Sequence, residues 1–274
     1  MPVETAGHDK GIGGQPLVQP NGTVVVPYED LSGKMAAFRS TDGGATWTKA
    51  AQITGIRFHG VAGGLRTSPL PTAEIDAGGT VYVAWEDCRF EQHCSSNDIV
   101  FSTSSDGMHW SKPALIPIDP IGSGADHFIP GLGVDPATSG AAAHLALAYY
   151  FYPDAACGDD CQLNVGYISS PDGGAHWGAS QQLAGPMSLS QIAQTSQGPM
   201  TGDYISTSFS GGSAVTMFPV AVAAASGFDE AMYAPSAPLP VASLSAATNA
   251  STTTGVLPVT GVGTGETHHD LKTD

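Results

Sequence analysis

The residues of this sequence able to do chemistry fall into short clusters. Asp203-Tyr204 sets a carboxylate beside a phenol and Asp126-His127 a carboxylate beside an imidazole. Glu86-Asp87 sets two carboxylates just ahead of Arg89, and Arg66 stands apart from them. Carboxylates can hand a proton on or take one, and guanidinium groups clamp anions and hydroxyls. Together with an aromatic hydroxyl they are the materials of a glycan site. Each also has a structural use. Arg66 and Arg89 can tie loops to carboxylates such as Glu86 or Asp87, Asp203 can cap a turn, Tyr204 can fill an interface between sheets, and His127 can pack. No glycine-rich phosphate loop, Gly-x-Ser-x-Gly elbow or His-Glu-x-x-His helix occurs, and neither a cofactor nor a metal is expected.

The elements that must hold these groups are short and extended. Gly and Pro supply 35 and 20 of the 274 residues, which leaves little room for long helices. Charged residues make up 12 %, about half the globular average, so helical bundles and coiled coils drop out. A net charge of −16 argues against nucleic acid or an anionic membrane as partner, and no window is apolar enough for a membrane-spanning helix. The four cysteines form two close pairs, Cys88/Cys94 and Cys157/Cys161, each enclosing a polar turn. Two local disulfides of an exported protein fit this spacing best, and a zinc site drawing on both pairs is the competing reading. Met1-Pro2-Val3-Glu4 opens no signal peptide, and with a secreted or envelope location expected, the simplest resolution is an N-terminus lost to a late start codon or to processing.

Repetition organises the chain. Ser40-Thr41-Asp42-Gly43-Gly44-Ala45-Thr46-Trp47 recurs as Ser104-Ser105-Asp106-Gly107-Met108-His109-Trp110. It recurs again as Ser170-Pro171-Asp172-Gly173-Gly174-Ala175-His176-Trp177, with the aspartates 64 and 66 residues apart. Each box is preceded by an extended run, a Gly or Asn turn, an alternating run and a polar loop: Thr23 to Tyr28, Thr80 to Trp85 and His144 to Tyr150 are the alternating runs. Each unit therefore predicts a meander of four short strands. Such sheets bury both faces only by stacking around an axis, which predicts an all-β propeller. A fourth, partial unit without a box starts at Gly202. Leu189, Ile192 and Ala193 ahead of it allow a turn of helix or a loop. Within each box the aspartate, the Ser or Thr hydroxyls and the glycines build a turn, and the Trp packs back on the sheet. Ser40, Asp42, Gly44, Trp47, Ser104, Asp106, Trp110, Ser170, Asp172, Gly174 and Trp177 are thus structural, as are His109 and His176.

The pattern Ser-x-Asp-x-Gly-x-Thr-Trp resembles the Asp box of sialidases and related BNR-repeat propellers, and Val83-Ala84-Trp85-Glu86-Asp87-Cys88-Arg89 is similar to the strand and loop those proteins carry before a box. The resemblance covers roughly residues 12 to 233 and implies a propeller of six-bladed type, of which this chain supplies three blades and a part. It implies a ligand face opposite the boxes. Arg66, Asp126, His127, Asp203 and Tyr204 reach that rim from loops entering inner strands, and Asp30, Glu86, Asp87 and Arg89 from loops joining second to third strands. Both cysteine pairs lie in such loops and would stiffen the rim. By the same resemblance Tyr204 is the nucleophile, Asp203 or Asp126 the acid/base, and Arg66, Arg89, Glu86, Asp87 and His127 hold substrate. The expected activity is an exo-α-sialidase-like glycoside hydrolase acting on glycans. The absence of an Arg-Ile-Pro motif departs from the sialidase pattern for sialic acid, and the alternative is a non-catalytic propeller binding glycans or proteins at the envelope, favoured by the small number of arginines and by the Ala/Ser/Thr/Pro tail as a spacer.

The propeller is expected over 1–233 and a disordered Ala/Ser/Thr/Pro spacer over 234–274. Leu257-Pro258-Val259-Thr260-Gly261 resembles a sortase anchoring pentapeptide. The polar residues after it favour a chance match.

Overall fold

The computed structural model describes residues 3–243 and 259–261. Their fold is all-β, built from four antiparallel sheets in chain order. In the first, β1 (Gly11–Ile12) and β2 (Leu17–Val18) both pair with β3 (Val24–Asp30), followed by β4 (Lys34–Ser40) and β5 (Ala51–Gly55). The second runs β6 (Thr72–Ile75), β7 (Val81–Asp87), β8 (Asp98–Ser104) and β9 (Ala114–Leu115). The third runs β10 (Asp126–Val134), β11 (Leu145–Tyr152), β12 (Gln162–Ser170) and β13 (Gln181–Ser188). A hairpin of β14 (Gln194–Thr195) and β15 (Gly198–Pro199) leads to the fourth, β16 (Ser206–Ser210), β17 (Ser213–Val222), β18 (Asp229–Pro235) and β19 (Val259–Gly261). The expected second and third strands of each repeat coincide with β3 and β4, β7 and β8, and β11 and β12.

The fourth sheet is fuller than the sequence predicts. The boundary expected at 233 falls inside β18, Leu239 is buried and exchanges backbone bonds with Ala214, and the Ala242 amide donates to the Ser169 hydroxyl. The remainder of the expected spacer, 244–258 and 262–274, lies outside the described residues, as do the first two residues of the sortase-like pentapeptide. Ahead of this sheet, Leu189–Gln191 forms one turn of 3-10 helix, capped by Ser188 and Gln191.

Prolines account for two irregular inner strands. The Pro27 carbonyl accepts the Gln15 amide on the inner side of β3, where proline has no N–H to return, and the inner strand is split there into β1 and β2. In β10 the register to β11 slips between Phe128 and Gly131, around Pro130, and Ile129 takes φ +48°.

The sheets pack face to face through three cores. Val25, Met35, Trp85 and Val100 join the first to the second, Phe101, Leu145, Tyr149 and Trp177 the second to the third, and Phe128, Tyr150, Leu163 and Phe218 the third to the fourth. Polar ties repeat the order. Gln19 Nε2 donates to the Gly79 and Ser105 carbonyls, the Gly140 amide donates to Asp76, and Tyr150 donates to the Pro219 carbonyl. On the axial side β10 and β16 pass so closely that a Cβ on Gly133 would sit 2.9 Å from the Thr207 carbonyl oxygen. This is a propeller-like stack, with the four inner segments gathered about a common cleft.

Each of the three boxes closes on itself. Asp42 accepts from the Ser40 and Thr46 hydroxyls and the Thr46 amide. His109 and His176 take the place of that threonine and meet Asp106 and Asp172 at 2.7 and 2.6 Å. The cysteines are joined as Cys88–Cys94 and Cys157–Cys161, with Cα atoms 4.8 and 4.9 Å apart.

Candidate functional site

The cleft of about 440 Å³ is lined by one segment from each sheet: Gly13 to Gln15, Thr72 and Glu74 of β6, Leu132 of β10, and Tyr204 to Ser206. Alternation on β6 explains its polar wall. Ala73 is fully buried in the first core and Ile75 packs against it, which turns Thr72 and Glu74 the other way. Glu74 also lines a smaller space of about 230 Å³ together with Val134 and Thr207. Burial pushes the Glu74 carboxyl up to about 7.

Tyr204 stands at the opening with half its surface exposed. A Cβ on Gly13 would lie 3.1 Å from its hydroxyl, and Gly13 itself needs φ +72°, so the phenol crosses from the fourth sheet to the first over a residue that only glycine fits. Burial, then the charges of Asp203 and Glu29, raise the phenol's pKa, and it is a protonated hydroxyl at neutral pH. Asp203 accepts from Arg66 Nη2 at 2.8 Å, and the Arg66 amide is anchored on the Pro199 carbonyl of the β14–β15 hairpin. Burial and the neighbouring Asp30 raise the Glu29 carboxyl.

The structure thus pairs Arg66 with Asp203, next to Tyr204 at the opening of the cleft. It puts the other expected residues at a second, enclosed layer of the rim. Glu86 is fully buried; its Oε2 accepts the Ile129 amide at 2.7 Å in the kinked part of β10, and burial, with the charges of Asp126 and Glu29, holds its pKa well above the ordinary value. Asp126 is also fully buried, with Oδ1 accepting both the backbone amide and the side-chain amide of Asn97, whose side chain also bridges to the His59 backbone. Burial raises the Asp126 carboxyl despite these bonds. His127 is buried between Tyr149 and Phe151. Arg89 is held by both oxygens of buried Asp87, at 2.9 and 2.6 Å, and spends its remaining donors on Thr54 and the Gly55 carbonyl. Of the expected clamp, Arg89 is therefore tied to its own loop, the structural use the sequence also allowed, while Arg66 is paired with Asp203, the residue before Tyr204.

Two carboxylates escape a reading based on loops. Glu74 lies inside an inner strand, and its signal is a lone charge in an otherwise apolar run. Glu29 occupies the place in Tyr28-Glu29-Asp30 that Glu86 occupies in Trp85-Glu86-Asp87, so superposing the repeats exposes it.

No family model matches the sequence, nor does any curated protein. Among solved structures, the chain is similar to a protein of unknown function from Dyadobacter fermentans, at 12 % identity and TM-score 0.49 over 91 % of this chain and 64 % of that one. It is also similar to a thermostable family-43 glycoside hydrolase, at 9 % identity and TM-score 0.48 over 87 % and 72 %. An intramolecular trans-sialidase from Ruminococcus gnavus follows at 15 % identity and TM-score 0.38, over 74 % of this chain and 38 % of that one. The chain thus spans less than two thirds of the length of the first and third.

Proposed function

We propose that the axial cleft belongs to a glycoside hydrolase, with Tyr204 as nucleophile and Glu74 as proton donor. The observation that carries this is the pairing, in one cleft, of an accessible phenol beside two carboxylates with a carboxyl whose pKa is about 7. In this reading the Tyr204 oxygen bonds to the anomeric carbon as the glycosidic bond breaks. The phenol proton passes to Glu29 or Asp203, and Glu74 protonates the departing oxygen. Water then splits the glycosyl-tyrosine: Glu74, now ionised, takes a proton from the water as its oxygen bonds to the anomeric carbon, and the released Tyr204 oxygen recovers its proton from Glu29 or Asp203. Asp126, enclosed and held by Asn97, supports the rim and leaves the acid role to Glu74.

With Arg89 engaged by Asp87 and Arg66 paired to Asp203, the cleft is acidic, and this favours neutral sugars over sialic acid as substrate. The same reading takes the sheets as blades of a sialidase-like propeller of six-bladed type, with the two disulfides supporting residence in an oxidising, extracellular compartment. A panel of fluorogenic glycosides, both neutral and sialylated, tests it. Turnover lost in Tyr204→Phe and Glu74→Gln supports the reading, and no turnover of any glycoside sinks it. One observation favours a second reading, a glycan-binding protein without turnover: the charges around Tyr204 raise rather than lower its pKa. Glycan binding undiminished in Tyr204→Phe, with no hydrolysis, would select that reading.

A further inference from the structure

Away from the cleft, where the second and third sheets meet, Asp98 at the start of β8, Asp119 in the loop after β9 and His127 near the start of β10 bring one donor atom each within 4.8 Å of one another. The arrangement is built rather than superficial. Asp98 is 6 % and His127 2 % exposed, and Asp98 Oδ2 is buried with no hydrogen-bond partner. His127 Nδ1 faces the Asn97 carbonyl at 3.3 Å; a carbonyl only accepts, so Nδ1 carries the proton and Nε2 presents a lone pair. That lone pair points at Asp119 Oδ2 from 3.6 Å, and Asp119 Oδ2 is already accepting from Ser123. Three acceptors therefore converge with no donor between them. The other carboxylates nearby offer none either: Glu91 accepts the Gly122 amide, Asp87 is used by Arg89 and Asp126 by Asn97.

We propose that Asp98, Asp119 and His127 bind a divalent cation that accepts nitrogen as well as oxygen, of the Mn²⁺ or Zn²⁺ type. Two carboxylates and an imidazole suit such ions, whose bonds of about 2.0–2.2 Å require the donors to close in slightly from their present spread. The Asn97 carbonyl behind His127 is the outer-shell acceptor such a ligand usually has. The ion would cross-link β8, the loop after β9 and β10, and so fix the loop that leads into Asp126. Its role is to hold the rim, and it is independent of whether the cleft hydrolyses anything.

The test is titration of the metal-stripped full chain with Mn²⁺, followed by loss of the free-ion electron paramagnetic resonance signal, and with Zn²⁺ followed by calorimetry. We expect one ion per chain and, at a hundredfold excess over Kd, a Tm higher by roughly 5–10 °C. Asp98→Asn should weaken binding at least tenfold while leaving the metal-free protein no less stable, because Asp98 Oδ2 has no hydrogen-bond partner to lose. His127→Gln should weaken it likewise. Asp119→Asn, in a more accessible loop, gives a third reading if either core variant fails to fold. Absence of one-to-one binding of both ions, binding of Ca²⁺ alone, or binding undiminished in the folded variants overturns the proposal.

Discussion

Glu74 makes a stability prediction that does not depend on finding a substrate. Its carboxyl stands at about 7 in the fold and near 4.5 in an exposed chain. Below 4.5 both states hold the proton and nothing is lost. As pH rises from 4.5 the unfolded chain ionises first, so folding loses stability, and the loss is complete above 7. The gap corresponds at most to about 3 kcal/mol. Glu74 borders an open cleft, so screening reduces the expected effect to about 1–2 kcal/mol. Glutamine keeps the shape and never ionises. The assay is urea unfolding of wild type and Glu74→Gln at pH 5 and pH 8, comparing the difference between the two proteins at each pH. Asp98, Glu86 and Asp126 titrate in both and cancel. We expect the variant to gain about 1–2 kcal/mol over wild type on going from pH 5 to 8. A difference that is constant with pH, or that shrinks as pH rises, refutes the placement of Glu74 in a poorly solvated position. If Glu74 also donates the proton in turnover, kcat/KM of the wild type should fall above about pH 7, and that limb should vanish from the residual rate of the variant.

Other perturbations separate the rim from the frame. Tyr204→Phe should leave Tm within about 1 °C, because the residue is half exposed, while glycoside turnover drops at least a hundredfold; parallel melting and rate measurements decide. Asp76→Ala removes the acceptor of the Gly78, Thr80 and Gly140 amides, the last from the next sheet, and should cost about 2–4 kcal/mol in urea unfolding without altering the cleft. Gly13→Ala forces a side chain into a left-handed backbone and against the Tyr204 hydroxyl; we expect weaker glycan binding by calorimetry together with a lower Tm. Reducing both disulfides, which close rings of only a few residues, should remove about 2 kcal/mol or less apiece. Reduction should nevertheless weaken ligand binding more than tenfold, since Arg89 lies inside the first ring and pins Thr54 and Gly55; a collapsed melting point with binding intact contradicts that.

The frame was legible because its signals are local. An Asp-Gly turn needs only its own hydroxyls and amides, as Ser40, Asp42 and Thr46 show, and period-2 runs such as Val81 to Trp85 announce a strand without reference to the rest of the chain. The fourth sheet was only half legible: β18 carries Asp229 and Glu230 and has no fully buried residue, so nothing in its pattern marks a buried face. Of the cleft's lining, Tyr204 stands out in the sequence because it sits in a loop beside a carboxylate. The cleft was hidden where distant segments make the environment. Glu74 shares its cleft with Leu132 and Ile205 from distant segments, and Asp126 is bonded by Asn97 from 29 residues away. No spacing rule records that.

The pairwise cores carry a consequence for cooperativity. Sheets two and three each share a core with neighbours on both sides, whereas sheets one and four, among the described residues, share one apiece. Such a stack behaves as a row of nearest-neighbour couplings, so the free energy needed to open a sheet scales with the number of couplings broken. Partial openings therefore start at the outer members, and amide hydrogens in β7, β8, β11 and β12 outlast those in β3 and β17. Tyr204 and Gly13 belong to these first-opening members, while Glu74 is borne by the persistent interior. The cleft thus combines a yielding lip with an unyielding floor, a division that lets its mouth adapt to a ligand while the ionisable group beneath keeps its surroundings.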